Sequence, residues 1–234
     1  MSDKIFFYDL ETTGLSQDCA IHQLSGMFFD IQQWNVVDSI NLFARPHVGA
    51  RIEYGALEIC GITKEQLYSY PTPESMYKRL VDSLSAHVKK FDPNDKMFLG
   101  GFNNHKFDDE VLKRFFILNN DKFFNSFFYS APVVDTYHLA SKTLLLRRKY
   151  MPNFKLSTVA KFLGIEVKEE ELHDAKYDLE LTINIFKKTS EIHGILSLEG
   201  LNIGDLMNKL TIAREERKQQ IKEYKNSEYF IYNG

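Results

Sequence analysis

Two acids stand two residues apart at the end of an apolar run, Ile5-Phe6-Phe7-Tyr8-Asp9-Leu10-Glu11-Thr12-Thr13-Gly14. A repeat of two is that of an extended strand, so Asp9 and Glu11 are expected on one face, roughly 7 Å apart along the backbone. Carboxylates that close a buried strand repel each other and are costly to desolvate unless a cation lies between them, and a hard ion with oxygen ligands is the simplest remedy. Further along, Asp108 and Asp178 each fall on the apolar stripe of an expected helix. Val111, Leu112 and Phe115 follow the first, and Leu181, Thr182 and Ile185 the second, at helical spacing. Asp109 is expected to be rotated off that stripe, into solvent. His173 precedes Asp178; if Asp174 caps the helix, the imidazole stays on the preceding loop and can lean over the site. Carboxylates that converge push one another's pKa upward. Two divalent ions about 3.5–4 Å apart relieve this, one orienting and acidifying a water and the other stabilising the leaving oxygen of a phosphodiester. An imidazole, titrating near neutrality, is suited to accept the proton of that water.

The elements that must position these groups follow from local patterns. Residues 21–30 and 36–44 read as strands joined through Gln32-Gln33-Trp34-Asn35, and with the first strand they form a meander in which 5–8 is the most buried stretch. Residues 52–60 suggest a short helix that leaves at Gly61, and Thr63 with Gln66 has the capping-box pattern of a second start. Pro73 opens a longer helix with Met76, Leu80, Val81, Leu84 and Val88 on one face. Residues 96–100 suggest a buried strand, a helix starts at about His105, and 132–135 suggest another short strand whose Asp135-Thr136 caps the next helix. Residues 145–155 carry Arg147, Arg148, Lys149, Tyr150 and Lys155, either a solvated loop or a phosphate-binding one. Residues 156–163 form a helix that Gly164 ends.

At 234 residues, 44% hydrophobic and 26% charged, the chain can bury one substantial domain and has little of the composition of disorder. No apolar run reaches the length of a membrane span, and Met1-Ser2-Asp3-Lys4 leads into a strand without a signal-peptide pattern, so a cytoplasmic protein is expected. Cys19 and Cys60 fit a reducing compartment and make no disulfide framework. Cys19-x-x-His22 raises zinc, but no second pair at ligand spacing follows, so zinc is not expected. The net charge of −3 does not advertise nucleic-acid binding, and any such surface must be local.

Asp9-Leu10-Glu11-Thr12, the stretch from Asn104 to Asp108, and His173 to Asp178 together resemble the three motifs of the DEDDh exonucleases, in order. Gly101-Phe102-Asn103-Asn104 with Phe107-Asp108-Asp109-Glu110-Val111, and Leu57 to Thr63, are most similar to the bacterial exonuclease I group. The resemblance covers about residues 4–190. It implies an α/β, ribonuclease H-like fold with a central mixed five-stranded sheet flanked by helices, an exonuclease domain at 1–192 and a helical extension at 193–234. It further implies Asp9, Glu11, Asp108 and Asp178 as ligands of two ions, Mg²⁺ or Mn²⁺, and His173 as general base. The backbone around Leu10 and Thr12, with Thr13, Leu15, Ile62, Asn104 and Phe107, would hold the terminal nucleotide, with Leu15 and Ile62 flanking its base. The implied activity is removal of nucleotides from the 3′ end of single-stranded nucleic acid, DNA before RNA, releasing 5′-monophosphates, with a role in DNA repair. An exoribonuclease, or a proofreading subunit of a DNA polymerase, is the alternative. The residues beyond 192 are too few for the further domains of exonuclease I, so high processivity is not expected. This extension is expected to pack on the domain, with a homodimer or a polymerase partner as the other options.

Overall fold

The structure, a computed structural model, describes residues 4–16, 18–193 and 219. Its centre is β1, Lys4–Thr12. Ile5, Phe6, Phe7 and Tyr8 are each 2% exposed or less, which requires cover on both faces of the strand. β2, Ile21–Asp30, lies antiparallel to β1, and β3, Asn35–Phe43, antiparallel to β2, through the expected hairpin. The chain then forms α1, Tyr54–Ile59, α2, Lys64–Ser69, and α3, Pro73–His87. Thr63 accepts a hydrogen bond from the Gln66 N–H at 3.2 Å, so half of the expected capping box is made; the Gln66 amide instead donates to the Tyr70 hydroxyl. β4, Phe98–Gly101, enters parallel to β1 on its free side, followed by α4, Asp108–Leu118, and by β5, Val134–Asp135, parallel to β4. The sheet is therefore mixed and five-stranded, in the order β3-β2-β1-β4-β5. Three more helices close the domain: α5, Thr136–Thr143, α6, Leu156–Phe162, and α7, Ala175–His193.

Alternation along β1 sorts the layers. Phe6, Tyr8 and Leu10 turn toward a core built with α3 and α4, including Leu80, Leu84, Val111 and Phe115. Phe7 turns the other way and meets Phe186 of α7 at 5.0 Å between ring centroids. A second core joins Ala140, Val159, Leu181 and Ile185 from α5, α6 and α7. So much aromatic bulk on the central strand needs room beside it: a Cβ on Gly26 would sit 2.4 Å from the Phe6 ring, and one on Gly100 2.6 Å from Phe7. No helix among the described residues is long and apolar enough to cross a membrane.

The helix expected from His105 is broken. Asn104–Lys106 forms a single 3-10 turn, Phe107 departs to φ −131° and ψ −61°, and α4 starts afresh at Asp108. The basic segment read as a loop is a 3-10 helix, Leu145–Tyr150. The expected C-terminal extension, with its charged helix and aromatic end, lies outside the described residues apart from 193 and 219.

Candidate active site

Asp9 and Glu11 share the Phe7 side of β1, the side that α7 covers, and both are half-buried at the strand's C-terminal end. α7 delivers Asp178 from its first turn. The helix start is fixed by Asp174, whose one oxygen accepts from the N–H groups of Lys176 and Tyr177 at 3.0 and 3.1 Å while the other accepts from the Gln23 amide at 3.1 Å. Gln23 is the register partner of Glu11 across β1 and β2, so the cap ties α7 to the acid-bearing end of the sheet. Carboxylate oxygens of Asp9, Glu11 and Asp178 all lie within 4.8 Å of one another.

Asp108 reaches the site from the other layer. The body of α4 packs on the Tyr8 side, but Asp108 is its first residue and stands at the sheet's edge, outside the 4.8 Å group. Its charge is nonetheless the largest electrostatic influence on Asp9. The neighbouring Asp109, expected in solvent, is 6% exposed and accepts a 2.5 Å hydrogen bond from the Tyr8 hydroxyl. Consecutive helix residues point about 100° apart, so Asp109, in line with buried Leu112 and Phe116, enters the core while Asp108 is turned away from it. Asn104 completes this joint. Strand pairing between β1 and β4 ends at Phe7 and Gly100, and the Asn104 amide donates to the next carbonyl, that of Tyr8, at 2.7 Å. A Cβ on Gly101 would lie 2.1 Å from that amide nitrogen, so the position needs glycine.

Every acid of the site is harder to ionise than usual. Burial, then the negative charges of Asp108, Glu11 and Asp178, hold Asp9 well above the ordinary carboxylate range. Burial raises Glu11 to about 7, against the lowering effect of the Cys60 thiol, which donates to it at 3.1 Å. Burial, joined by the charge of Asp109, raises Asp108 to about 7. Asp178 is raised chiefly by burial, and its Oδ1 is buried with no hydrogen-bond partner among the described residues. A cation would satisfy both the orphaned carboxylate oxygen and the like charges around it, so the residues present fit divalent ions with oxygen ligands.

His173 is exposed, on the loop before α7, in the left-handed region at φ 68°. A bulky residue held there costs of order 1–3 kcal/mol, and such strain gathers at functional sites. Its N–H donates to Asp178 Oδ2 at 3.4 Å, which anchors the loop beside the acids.

The expected nucleotide-contacting residues divide. Leu15 is 81% exposed, and Ile62 lines a cleft of about 310 Å³ together with His22, Gln23, Cys60, His173 and Asp174. Thr13, by contrast, is fully buried. Its hydroxyl donates to the Arg51 carbonyl at 2.6 Å and accepts from the Ala20 N–H at 2.9 Å, so its side chain pins a loop and, fully buried, is out of a ligand's reach. Thr12 is likewise turned inward, donating to the Gly14 carbonyl at 2.7 Å. The Leu10 side chain and Phe107 belong to the core, and Asn104 is 5% exposed with its amide nitrogen donating to Tyr8, so these three side chains hold the site's frame, and the contact expected at Leu10 and Thr12 is through their backbone. Sequence patterns gave no warning of Cys60 beside Glu11. The pairing of Gln23 with Glu11 follows from strand register, which periodicity alone does not fix.

A mixed sheet in this order, with acids converging from its central strand and from helices of both layers, defines the ribonuclease H-like class. The profile of the exonuclease (RNase T) family matches residues 6–186, and the chain belongs to that family of 3′-to-5′ exonucleases. No curated protein matches it significantly. Among solved structures it is similar to Escherichia coli exonuclease I in complex with a dT13 oligonucleotide, with a TM-score of 0.65 and 22% identity over 80% of this chain and 41% of that one. It is also similar to exonuclease I from Methylocaldum szegediense, with a TM-score of 0.63 and 21% identity over 80% of this chain and 40% of that one. The chain thus spans about two fifths of the length of these structures.

Proposed function

We propose that this chain hydrolyses single-stranded DNA from the 3′ end to nucleoside 5′-monophosphates, using two divalent ions, Mg²⁺ or Mn²⁺, held by Asp9, Glu11, Asp108 and Asp178. The observation that carries this is the convergence of Asp9, Glu11 and Asp178 within 4.8 Å, with the Asp178 Oδ1 left without a partner. When bound, such ions neutralise charge on the scissile phosphate and acidify the attacking water. The chain's own residues do the rest. β1, buried on both faces, fixes Asp9 and Glu11 against movement, and the capped start of α7 fixes Asp178. The exposed imidazole of His173 accepts the proton of the attacking water on a ring nitrogen. Attack at phosphorus breaks its bond to the 3′ oxygen of the preceding nucleotide, so the shortened strand keeps a 3′-hydroxyl and the released nucleotide a 5′-phosphate. The departing 3′ oxygen takes up a proton from water, and the proton on His173 passes to solvent, which reaches this loop freely. Leu15 and Ile62 suit contacts to a terminal base, and exposed Tyr150 beside Lys149 suits the strand behind it.

The preference for DNA takes support from the dT13 complex of Escherichia coli exonuclease I. A cytoplasmic setting agrees with two free cysteines. The test is digestion of matched 3′-labelled and 5′-labelled DNA and RNA oligonucleotides with Mg²⁺ or Mn²⁺ and no other protein. A ladder shortening from the 3′ end on DNA, abolished by Asp9→Ala, is expected. Faster loss of RNA assigns an exoribonuclease instead, and an Asp9→Ala protein as active as the parent overturns the site. Activity of the isolated chain at the mass of a monomer removes the need for a polymerase partner or a homodimer.

A further inference from the structure

On the flank of the acid cluster lies a different set of donors. The register of β1 against β2 slips at its end: Glu11 faces Gln23, Thr12 faces Ile21, and His22 has no opposite residue. A bulge of this kind re-aims the side chain it frees. The strand alternation that sends Gln23 to the Glu11 side would send His22 away from it, yet the slip brings the His22 ring to the same side. A ring nitrogen of His22, the Cys60 Sγ and a Glu11 carboxylate oxygen all lie within 4.8 Å of one another.

His22 is the unexplained member. It is 1% exposed, and neither ring nitrogen has a hydrogen-bond partner among the described residues. A core imidazole normally satisfies at least one nitrogen, because a buried polar atom without a partner forfeits the hydrogen bonds it makes to water in the unfolded chain. The Cys60 thiol can be accounted for by its 3.1 Å hydrogen bond to Glu11, but that contact leaves His22 unsatisfied. A cation among the three would satisfy all of them. One sulfur, one imidazole nitrogen and one carboxylate oxygen make a softer set than the all-oxygen acid cluster, and this mixture suits Zn²⁺ and its relatives rather than Mg²⁺. Ligand bonds of about 2.0–2.3 Å place the donors of a tetrahedral ion roughly 3.5 Å apart, so side-chain closure of about 1 Å completes the set. The fourth position would face the cleft.

We propose that Glu11, His22 and Cys60 form a second cation site, selective for a thiophilic divalent ion of the Zn²⁺ class, that competes with the hydrolytic site for Glu11. On binding, the Cys60 sulfur forms its bond to the ion and its proton leaves to solvent. Glu11 then faces a zinc-class ion instead of the Asp9 and Asp178 side, and hydrolysis falls. Only this last consequence rests on the proposed function; the binding itself does not.

The full-length protein, stripped of metal, is titrated with Co²⁺ as a spectroscopic stand-in for Zn²⁺. A thiolate-to-cobalt charge-transfer band is expected, displaced by one equivalent of Zn²⁺ and lost in Cys60→Ser, with Zn²⁺ affinity down by at least about tenfold. Cys19 remains in that variant as an internal control. No band in the parent, or a band that survives Cys60→Ser, overturns the site. Should Cys60→Ser fail to fold by circular dichroism, alkylation of the parent decides: Zn²⁺ must protect Cys60 while leaving Cys19 labelling unchanged, and equal labelling overturns the site. In the digestion assay, Zn²⁺ added over saturating Mg²⁺ should inhibit the parent at least tenfold more strongly than Cys60→Ser, each measured against its own activity. Binding without that difference overturns the competition for Glu11, and a chain inactive with every metal overturns the proposed function while leaving the spectroscopic result to stand.

Discussion

Replacing Glu11 by Gln tests whether the fold buries a carboxylate whose charge nothing in the chain offsets. Burial is the main cause that lifts the Glu11 carboxyl from 4.5 to about 7. Between those values the folded chain keeps a proton that the unfolded chain has released. Stability in chelator therefore falls as pH rises through this window, is unaffected by Glu11 below about 4.5, and carries the whole penalty above about 7. At 1.36 kcal/mol per unit the penalty is at most about 3 kcal/mol, because neighbouring acids share the protons. Glu11→Gln keeps the shape and removes the charge. In chelator at pH 8 it should melt above the parent by as much as roughly 6–12 °C, a gap that closes toward acid pH. Saturating Mg²⁺ or Mn²⁺ should reverse the order, since an ion that binds the folded parent stabilises it in proportion to the logarithm of its concentration over Kd. Scanning calorimetry across pH, with and without metal, reads both signs. A variant less stable than the parent in chelator at pH 8, or a gap that does not change with pH, would refute an uncompensated charge at Glu11.

Other substitutions separate chemistry from framework. His173→Ala should retain metal and nucleotide binding, measured by calorimetric titration, and lose about 10²–10⁴-fold in kcat, the usual worth of a general base; weakened binding with normal turnover contradicts that role. Tyr8→Phe leaves the Asp109 Oδ1 buried without its donor, which should cost about 1–3 kcal/mol in denaturant unfolding. An unfolding midpoint equal to the parent's would mean that water replaces the hydroxyl.

The central strand and its acids were legible because both depend on nearest neighbours. Apolar residues up to Tyr8 and the repeat of two from Asp9 to Glu11 state a buried strand with charge at its mouth. Asp178 was legible because α7 is long and periodic. Asp108 was placed by the same periodicity, and the stripe expected with it, Val111, Leu112 and Phe115, is buried; the buried face is wider than that stripe and takes in Phe116 and Asp109, so the acid that periodicity puts in solvent meets the Tyr8 hydroxyl. Thr13 looked like a contact residue from its motif, whereas its hydroxyl is consumed by the carbonyl of Arg51, a partner 38 residues away. His22 followed the same rule of long-range causes. Cys19-x-x-His22 gives no hint of Cys60, since it is a register slip between two strands that leaves the His22 ring beside that sulfur.

Tyr8 and Asp109 act together as a rivet between layers. Each is the chain neighbour of an acid of the site, Asp9 on one side and Asp108 on the other, so any sliding of α4 along β1 that loosened the rivet would also alter the gap between those acids. Spacing in the site is thereby slaved to packing in the core. Heat should leave no regime in which the domain stays folded but its acids have drifted apart: loss of hydrolysis and loss of tertiary structure should arrive at one temperature.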